Sequence, residues 1–134
     1  MKAWMAAALI GAMTTSGVTP LALAAPQPGT GHELYQNCKE SITASGRNTI
    51  PSGTDMLSVG LCLGLIEGVK KTIAILQTGM SARETQVCWP ESGLTNGQGA
   101  LIAINYLDRN PARLNEDQTT VVILAFKDAF PCKG

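Results

Sequence analysis

Four cysteines in a chain of 134 residues constrain the fold more than any other feature of this sequence. An even number of cysteines in a short exported chain predicts disulfide bonds and not free thiols. No two of them form a close pair of the CxxC type, so neither a zinc ribbon nor a thioredoxin-like redox site is indicated. The four positions are Cys38, Cys62, Cys88 and Cys132.

Residues 1–24 have the pattern of a secretory signal peptide. Lys2 supplies a positive start, an apolar run follows, and the small residues Ala22 and Ala24 precede the expected cut. An uncleaved membrane anchor is the alternative, but the apolar run is well short of the roughly 20 residues of a membrane-spanning helix. We therefore expect cleavage after Ala24, a secreted or periplasmic protein without a membrane anchor, and a flexible lead-in over residues 25–31.

The rest of the chain, residues 32–134, is predicted to form one helical domain. Its apolar residues recur at the spacing of three and four that is typical of amphipathic helices, and Gly and Pro clusters separate the periodic segments. We expect an all-α fold, a small bundle of four helices or slightly more, with an ordered connection over 79–93. The predicted helices are Gly31–Ala44, Asp55–Thr78, Thr95–Arg109 and Asn115–Phe130.

The pairing of the cysteines is not determined by their spacing, because four cysteines allow three pairings. In an up-down bundle, Cys88 before the third helix and Cys132 after the fourth fall at the same end of an antiparallel pair. Cys38 and Cys62 lie near one another across the first helical hairpin. This geometry favours Cys38 with Cys62 and Cys88 with Cys132, each bond stabilising the fold by about 3 to 4 kcal/mol.

Three glycines recur every four residues in the second predicted helix, at Gly60, Gly64 and Gly68, and so share one face. Each costs about 1 kcal/mol relative to Ala inside a helix. We therefore expect another helix to approach closely along this face. A membrane dimerisation motif is the alternative, but the charges of Glu67 and Lys70 in the same helix argue against burial in lipid.

The charged residues and the single histidine indicate a protein that is not an enzyme. Without Lys2, nine basic residues face ten acidic ones, a balance that disfavours nucleic-acid binding. The one histidine, His32, lies close to the amino terminus, and no nucleophile and base stand together in a motif. The chain has no phosphate-binding loop, dinucleotide fingerprint or calcium loop, so we expect no metal and no cofactor.

Four short motifs, in this order along the chain, resemble the Rap/Tai family of type VI secretion immunity proteins. The likeness covers Leu57–Cys132, and the family's usual CxGY element has Leu65 in place of the aromatic residue. The motifs are Gly60–Val69, Cys88-Trp89-Pro90, Tyr106–Pro111 and Ala129–Cys132.

The resemblance implies a periplasmic helical protein, often a homodimer, that plugs the active site of a peptidoglycan amidase injected by competing cells. Inhibition would be steric, through a protruding connection that enters the enzyme's cleft. In this sequence the candidate is the stretch Asp108–Asn115 between the third and fourth predicted helices. Its candidate partner-binding residues are Asp108, Arg109, Asn110 and Arg113.

A periplasmic chaperone or stress protein of similar helical, disulfide-bonded build is the alternative hypothesis. An immunity protein has one tight enzyme partner, whereas a chaperone has many weak clients and exposes apolar surface on acidification. An amidase gene next to this one would favour immunity.

Overall fold

The structure is a computed structural model that describes residues 28–46 and 53–133. Within these ranges the chain forms five α-helices, one short 3-10 helix and no strand, which confirms the predicted all-α fold. The predicted signal peptide, residues 25–27 and most of the loop after the first helix lie outside the described residues. The elements are α1 Gly31–Ser45, α2 Gly53–Leu76, α3 Ala82–Thr85, α4 Asn96–Arg109, the 3-10 helix Pro111–Asn115 and α5 Gln118–Ala129.

Side-chain caps set the starts of α4 and α5. The Thr95 hydroxyl accepts a hydrogen bond from the Gln98 backbone N–H at 3.2 Å, and the Gln98 side chain accepts from the Thr95 N–H at 2.9 Å. This capping box confirms the predicted start of α4. The last helix starts three residues later than the predicted Asn115, because the Asp117 carboxylate accepts from the Thr120 N–H at 2.9 Å and fixes the cap there.

The connection predicted over 79–93 contains the short helix α3, which the sequence analysis missed. The Ser81 N–H donates to the Glu84 carboxylate at 2.7 Å, and the Ser81 hydroxyl accepts from the Glu84 N–H in return. The hydrogen bond from the Ser81 backbone lowers the pKa of the Glu84 carboxyl, so this capping box is ionised at neutral pH. A Gln77 side chain at the end of α2 donates to the Thr85 hydroxyl at 2.7 Å and holds α3 in place.

The core lies where the four long helices meet. Fully buried side chains come from each of them: Leu34 from α1, Ile66 from α2, Leu107 from α4 and Phe126 from α5. The closest approach is at Gly99 in α4, where an added Cβ would lie 2.5 Å from the Ile66 Cγ2 and 3.6 Å from the Phe126 ring. Gly99 therefore allows α2 and α5 to pack against α4.

The three glycines of α2 do not have this role within one chain. Gly60, Gly64 and Gly68 are all exposed, and a Cβ added at any of them would meet no atom within 4 Å. The prediction of a close helix contact along their face is therefore wrong for a single chain. The reason is that α2 packs on the core through the opposite face, which carries Cys62 and Ile66.

Both predicted disulfides are confirmed. Cys38 and Cys62 join α1 to α2 with an S–S distance of 2.05 Å, and both residues are fully buried. Cys88 and Cys132 join the segment after α3 to the segment after α5 with an S–S distance of 2.06 Å. This second pair is only half-buried.

The difference in burial predicts an order of reduction. Mild reductant on the folded protein should open Cys88–Cys132 first, because a thiolate can reach its sulfur atoms, whereas Cys38–Cys62 is shielded until the fold opens. Loss of the 44-residue link should lower the free energy of unfolding by about 4 kcal/mol. Alkylation followed by peptide mass spectrometry measures the order. Denatured protein, in which both pairs should react together, is the control, and early labelling at Cys38 would contradict the prediction.

Gly99→Ala should lower the free energy of unfolding, because overpacking costs about 1–3 kcal/mol and exceeds the roughly 1 kcal/mol gained from helix propensity. Gly97→Ala is the matched control in the same helix, since a Cβ there meets no atom within 4 Å. It should leave stability unchanged or raise it by up to about 1 kcal/mol. Urea unfolding followed by circular dichroism compares the two variants, and a Gly99→Ala protein as stable as the parent would refute this packing argument.

Candidate functional site

The predicted partner-binding segment, residues 108–115, comprises the last two residues of α4, Asn110 and the 3-10 helix that follows, and its own polar side chains hold it in place. We call these eight residues the connection. At its start the Tyr35 hydroxyl, from α1, donates to the Asp108 carboxylate at 2.7 Å. The Arg109 guanidinium donates to the Asp128 carboxylate at 2.7 Å and to the Asn105 backbone carbonyl at 3.2 Å. The arginine side chain nevertheless remains 62% exposed.

The second half of the connection is fixed in the same way. The Asn110 amide donates to the Tyr106 carbonyl at 2.8 Å, which covers a free carbonyl at the end of α4. The Arg113 Nη1 donates to both carboxylate oxygens of Glu116, at 3.0 and 2.8 Å. All four predicted side chains thus lie on one ordered segment, and each has a partner within the chain.

A strap formed by residues 29–31 holds the far end of the connection, and sequence reasoning missed it. The Gly31 N–H donates to the Glu116 carbonyl at 2.8 Å, the Gln118 N–H donates to the Gly29 carbonyl at 2.9 Å, and Thr30 forms an antiparallel bridge with Asp117. The flexible lead-in predicted over 25–31 is therefore wrong for its last three residues. The sequence pattern suggested that the backbone of these three residues would bond to solvent. In the structure it bonds to backbone groups at the start of α5.

Two glycines make this strap possible. Gly29 has a φ of +77°, a conformation that side-chain-bearing residues rarely adopt. At Gly31 an added Cβ would lie 2.8 Å from the Arg113 carbonyl oxygen. The pair of glycines just before the first helix was the available signal, but such a pair is equally typical of an unstructured linker.

A second surface is an apolar groove between α2, α3 and α5, with a volume of about 510 Å³. The exposed glycines Gly64 and Gly68 form part of its wall. Carboxylate and ammonium groups, from Glu84 and Lys127, lie at its edge. The other lining residues are Leu65, Val69, Thr72, Ile73, Leu76, Met80, Thr85, Thr119 and Ile123.

Glu67 and His32 are titratable side chains with contrasting surroundings. The Glu67 carboxylate accepts from the Lys70 ammonium at 2.6 Å, and this hydrogen bond lowers the pKa of Glu67. His32 lies in the first turn of α1 with its Nδ1 buried and without a hydrogen-bond partner. Within residues 28–46 and 53–133 no three His, Cys, Asp or Glu side chains cluster as metal ligands would, and no helix could cross a membrane.

Gly31→Ala should loosen the connection. The new methyl group would collide with the Arg113 backbone carbonyl, at a cost of about 1–3 kcal/mol, so amide hydrogen exchange over residues 108–118 should become about tenfold faster or more. Gly46→Ala is the control, because its Cβ would meet nothing nearer than the Thr43 carbonyl at 3.7 Å. Unaltered exchange in Gly31→Ala would contradict the role assigned to the strap.

Comparison with known proteins yields one match. The family model for Rap1a immunity proteins matches residues 30–132, which includes every helix described above, both disulfides and the connection between α4 and α5. No curated protein and no solved structure matches the chain. Because the matched segment covers well over half of the sequence, the chain belongs to the Rap1a immunity protein family.

Proposed function

We propose that this protein is a periplasmic immunity protein that binds a peptidoglycan amidase delivered by a type VI secretion system and blocks its active site sterically. The family match carries the proposal, since membership implies an inhibitor that binds a cognate effector and is not itself an enzyme. Beyond family membership, we propose three points: the target is an amidase, inhibition takes place in the periplasm, and a defined surface of the inhibitor makes the contact.

The periplasmic location is supported by the sulfur chemistry. Two disulfides join parts of the chain that are 24 and 44 residues apart, and such bonds persist in oxidising compartments such as the bacterial periplasm. The pattern of residues 1–24 supplies a route to that compartment through a cleaved signal peptide. An amidase that cuts peptidoglycan acts in the same space, so inhibitor and enzyme would meet there.

The rigidity of the connection supports steric inhibition. A segment that fills an enzyme cleft binds more tightly if it is already in its bound shape, because less conformational entropy is lost on binding. Tyr35 holds the connection at Asp108, and Gly31 holds it at Glu116. The segment between these two points is therefore preorganised as a plug.

The exposed arginine of the connection supplies unused hydrogen-bond donors. A guanidinium has five N–H groups, and the hydrogen bonds of Arg109 to Asp128 and Asn105 leave donors available on a side chain that is 62% exposed. Arginine is enriched among the residues that dominate protein interfaces. The Asp128 carboxylate balances its charge, so burial against an enzyme would not leave an isolated cation.

We also propose that the protein is a homodimer, as the family resemblance implies. The exposed apolar residues of α2 provide the support for this proposal, because a monomer would leave them in water. Sedimentation equilibrium of the mature oxidised protein tests this proposal, and a protein that stays monomeric at every concentration would overturn it.

Replacing both arginines of the connection should weaken binding to the cognate amidase. The Arg109→Ala, Arg113→Ala protein should have a dissociation constant at least about 30-fold higher, because a central interface arginine contributes about 2 kcal/mol or more. Isothermal titration calorimetry measures the affinity. The fold should survive, since the exposed ion pairs to Asp128 and Glu116 contribute at most about 1 kcal/mol each.

The matched control is Arg83→Ala, which removes an exposed arginine from α3, outside the connection. It should leave the affinity unchanged. Unchanged binding of the double variant would remove the connection from the interface, while no binding by the parent protein would overturn the proposed function itself. Co-expression with a periplasm-targeted amidase tests the same point in cells, where the parent should restore growth and the double variant should not.

A further inference from the structure

The apolar groove between α2, α3 and α5 combines a buried floor with an exposed rim. Its floor contains Val69 and Ile73 of α2, each only 6% exposed. Its rim contains Leu76 and Met80, which are 48% and 42% exposed. Exposed apolar side chains around a hollow of about 510 Å³ are typical of a site that takes an apolar ligand.

The groove is elongated, because α2 and α5 run alongside it in the same direction. Lining residues recur at helical spacing over 64–76 in α2 and over 119–127 in α5. The helices end together, since α3 follows α2 and its Ala82 carbonyl oxygen lies 3.4 Å from the Cys132 Sγ, just after α5. At about 1.5 Å per residue, the α2 wall is about 18 Å long. An extended acyl chain fits this shape better than a compact ring system.

One end of the groove carries a lysine without a counter-ion. Lys127 is half-buried and forms no hydrogen bond or ion pair with any part of the chain that the structure describes. The Glu84 carboxylate lies at the same edge, but it accepts hydrogen bonds from the Ser81 N–H and hydroxyl, each at 2.7 Å, and so is held within its own capping box. A partly desolvated ammonium group without a counter-ion favours the approach of an anion.

A second hollow continues the site beyond Lys127, with a volume of about 400 Å³. Its described lining residues include two cations and no carboxylate. Within the described chain the Arg83 guanidinium donates only to the Lys133 backbone carbonyl, at 3.4 Å, so most of its five N–H groups are available. Lys127 lines both hollows, which therefore adjoin at this side chain. The lining residues of the second hollow are Arg83, Gln86, Lys127, Pro131 and Cys132.

From these two adjoining hollows we propose that the protein binds a long-chain fatty acid. The carboxylate lies between Lys127 and Arg83, and the acyl chain follows the groove towards Gly64 and Gly68. Both glycines leave space for the chain, since a Cβ added at either would meet no described atom within 4 Å. A single chain with one carboxylate matches one groove with one cationic end, whereas a lipid with two acyl chains would need a second groove.

The fatty-acid site is separate from the surfaces that support the proposed function. Residues 108–115 line neither hollow. Leu57 and Ile75, the most exposed large apolar residues of α2, do not line them either. Binding of a fatty acid, of the amidase and of a second copy can therefore be tested independently of one another.

Isothermal titration calorimetry of the oxidised mature protein with laurate, kept below its micelle concentration, tests the proposal. The parent should bind laurate. Gly68→Leu should raise the dissociation constant about tenfold or more, because the new side chain occupies the groove. Gly60→Leu is the matched control on the same helix and should leave the affinity unchanged. A Cβ at Gly60 is equally free of contacts, but Gly60 lines neither hollow.

The charged end of the site is tested by a second pair of variants. Lys127→Gln should weaken laurate binding about tenfold or more, because it removes the charged partner of the carboxylate. Lys71→Gln should not, since this lysine is 70% exposed and lines neither hollow. Dodecyltrimethylammonium has a chain of the same length and a cationic head, and it should bind about tenfold more weakly than laurate or worse. Circular dichroism checks each fold, and Gly64→Leu replaces Gly68→Leu if that variant does not fold.

Four results would overturn the fatty-acid site. The first is a parent that does not bind laurate, and the second is equal binding of laurate and dodecyltrimethylammonium, which indicates adsorption to apolar surface alone. The third is binding of dodecyl phosphate without binding of laurate, which would assign the site to a phosphate head group. The fourth is laurate that separates a dimer into monomers, which would give the groove to a second copy. The affinity of the arginine variants for the amidase tests the proposed function separately in every case.

Discussion

The buried disulfide between Cys38 and Cys62 is the constraint on which the rest of the molecule depends. It fixes the second half of α1 against α2, and the first half of α1 then contacts the connection through Tyr35 and the strap that ends at Gly31. One covalent bond in the core is thus linked, through α1 alone, to the segment that we propose inhibits the amidase. Because α1 has a fixed position, it holds both ends of the connection, on either side of the short 3-10 helix Pro111–Asn115.

The second disulfide orders a part of the chain that has little regular structure. After Cys88, Trp89 packs edge-on against Phe126 with ring centroids 5.4 Å apart and lies 5.7 Å from Phe130. Lys70 donates to the Leu94 carbonyl at 3.2 Å and so ties the same segment to α2. In a helix, backbone hydrogen bonds would hold these residues in place. Here aromatic packing, the disulfide bond and the hydrogen bond from the lysine ammonium hold them instead. Trp89 is therefore half-buried and packs against the core.

The sequence allowed prediction of features that depend on neighbouring residues. Helix spacing, the Thr95 cap and the cysteine pairing follow from local periodicity and from the antiparallel order of the helices. The strap could not be predicted, because Gly29 and Gly31 acquire their roles from backbone groups at residues 113–118, far away in sequence. The partners of Arg109 and Arg113 depend on how α5 is oriented, and no local pattern specifies this. The four polar residues predicted at 108–113 lie on one segment, but the partners that hold them within the chain became apparent only from the fold.

The glycines show why a helical pattern identifies a face but not the partner of that face. Gly99 and Gly64 look alike in sequence, since each lies within a predicted helix and shortly follows another glycine, two residues earlier for Gly99 and four for Gly64. In the fold, a Cβ added at Gly99 would lie against Ile66, whereas a Cβ added at Gly64 would meet no atom of the described residues within 4 Å. The packing of one chain therefore explains Gly99, whereas at Gly64 the described residues give no packing reason for the stability that a helical glycine costs.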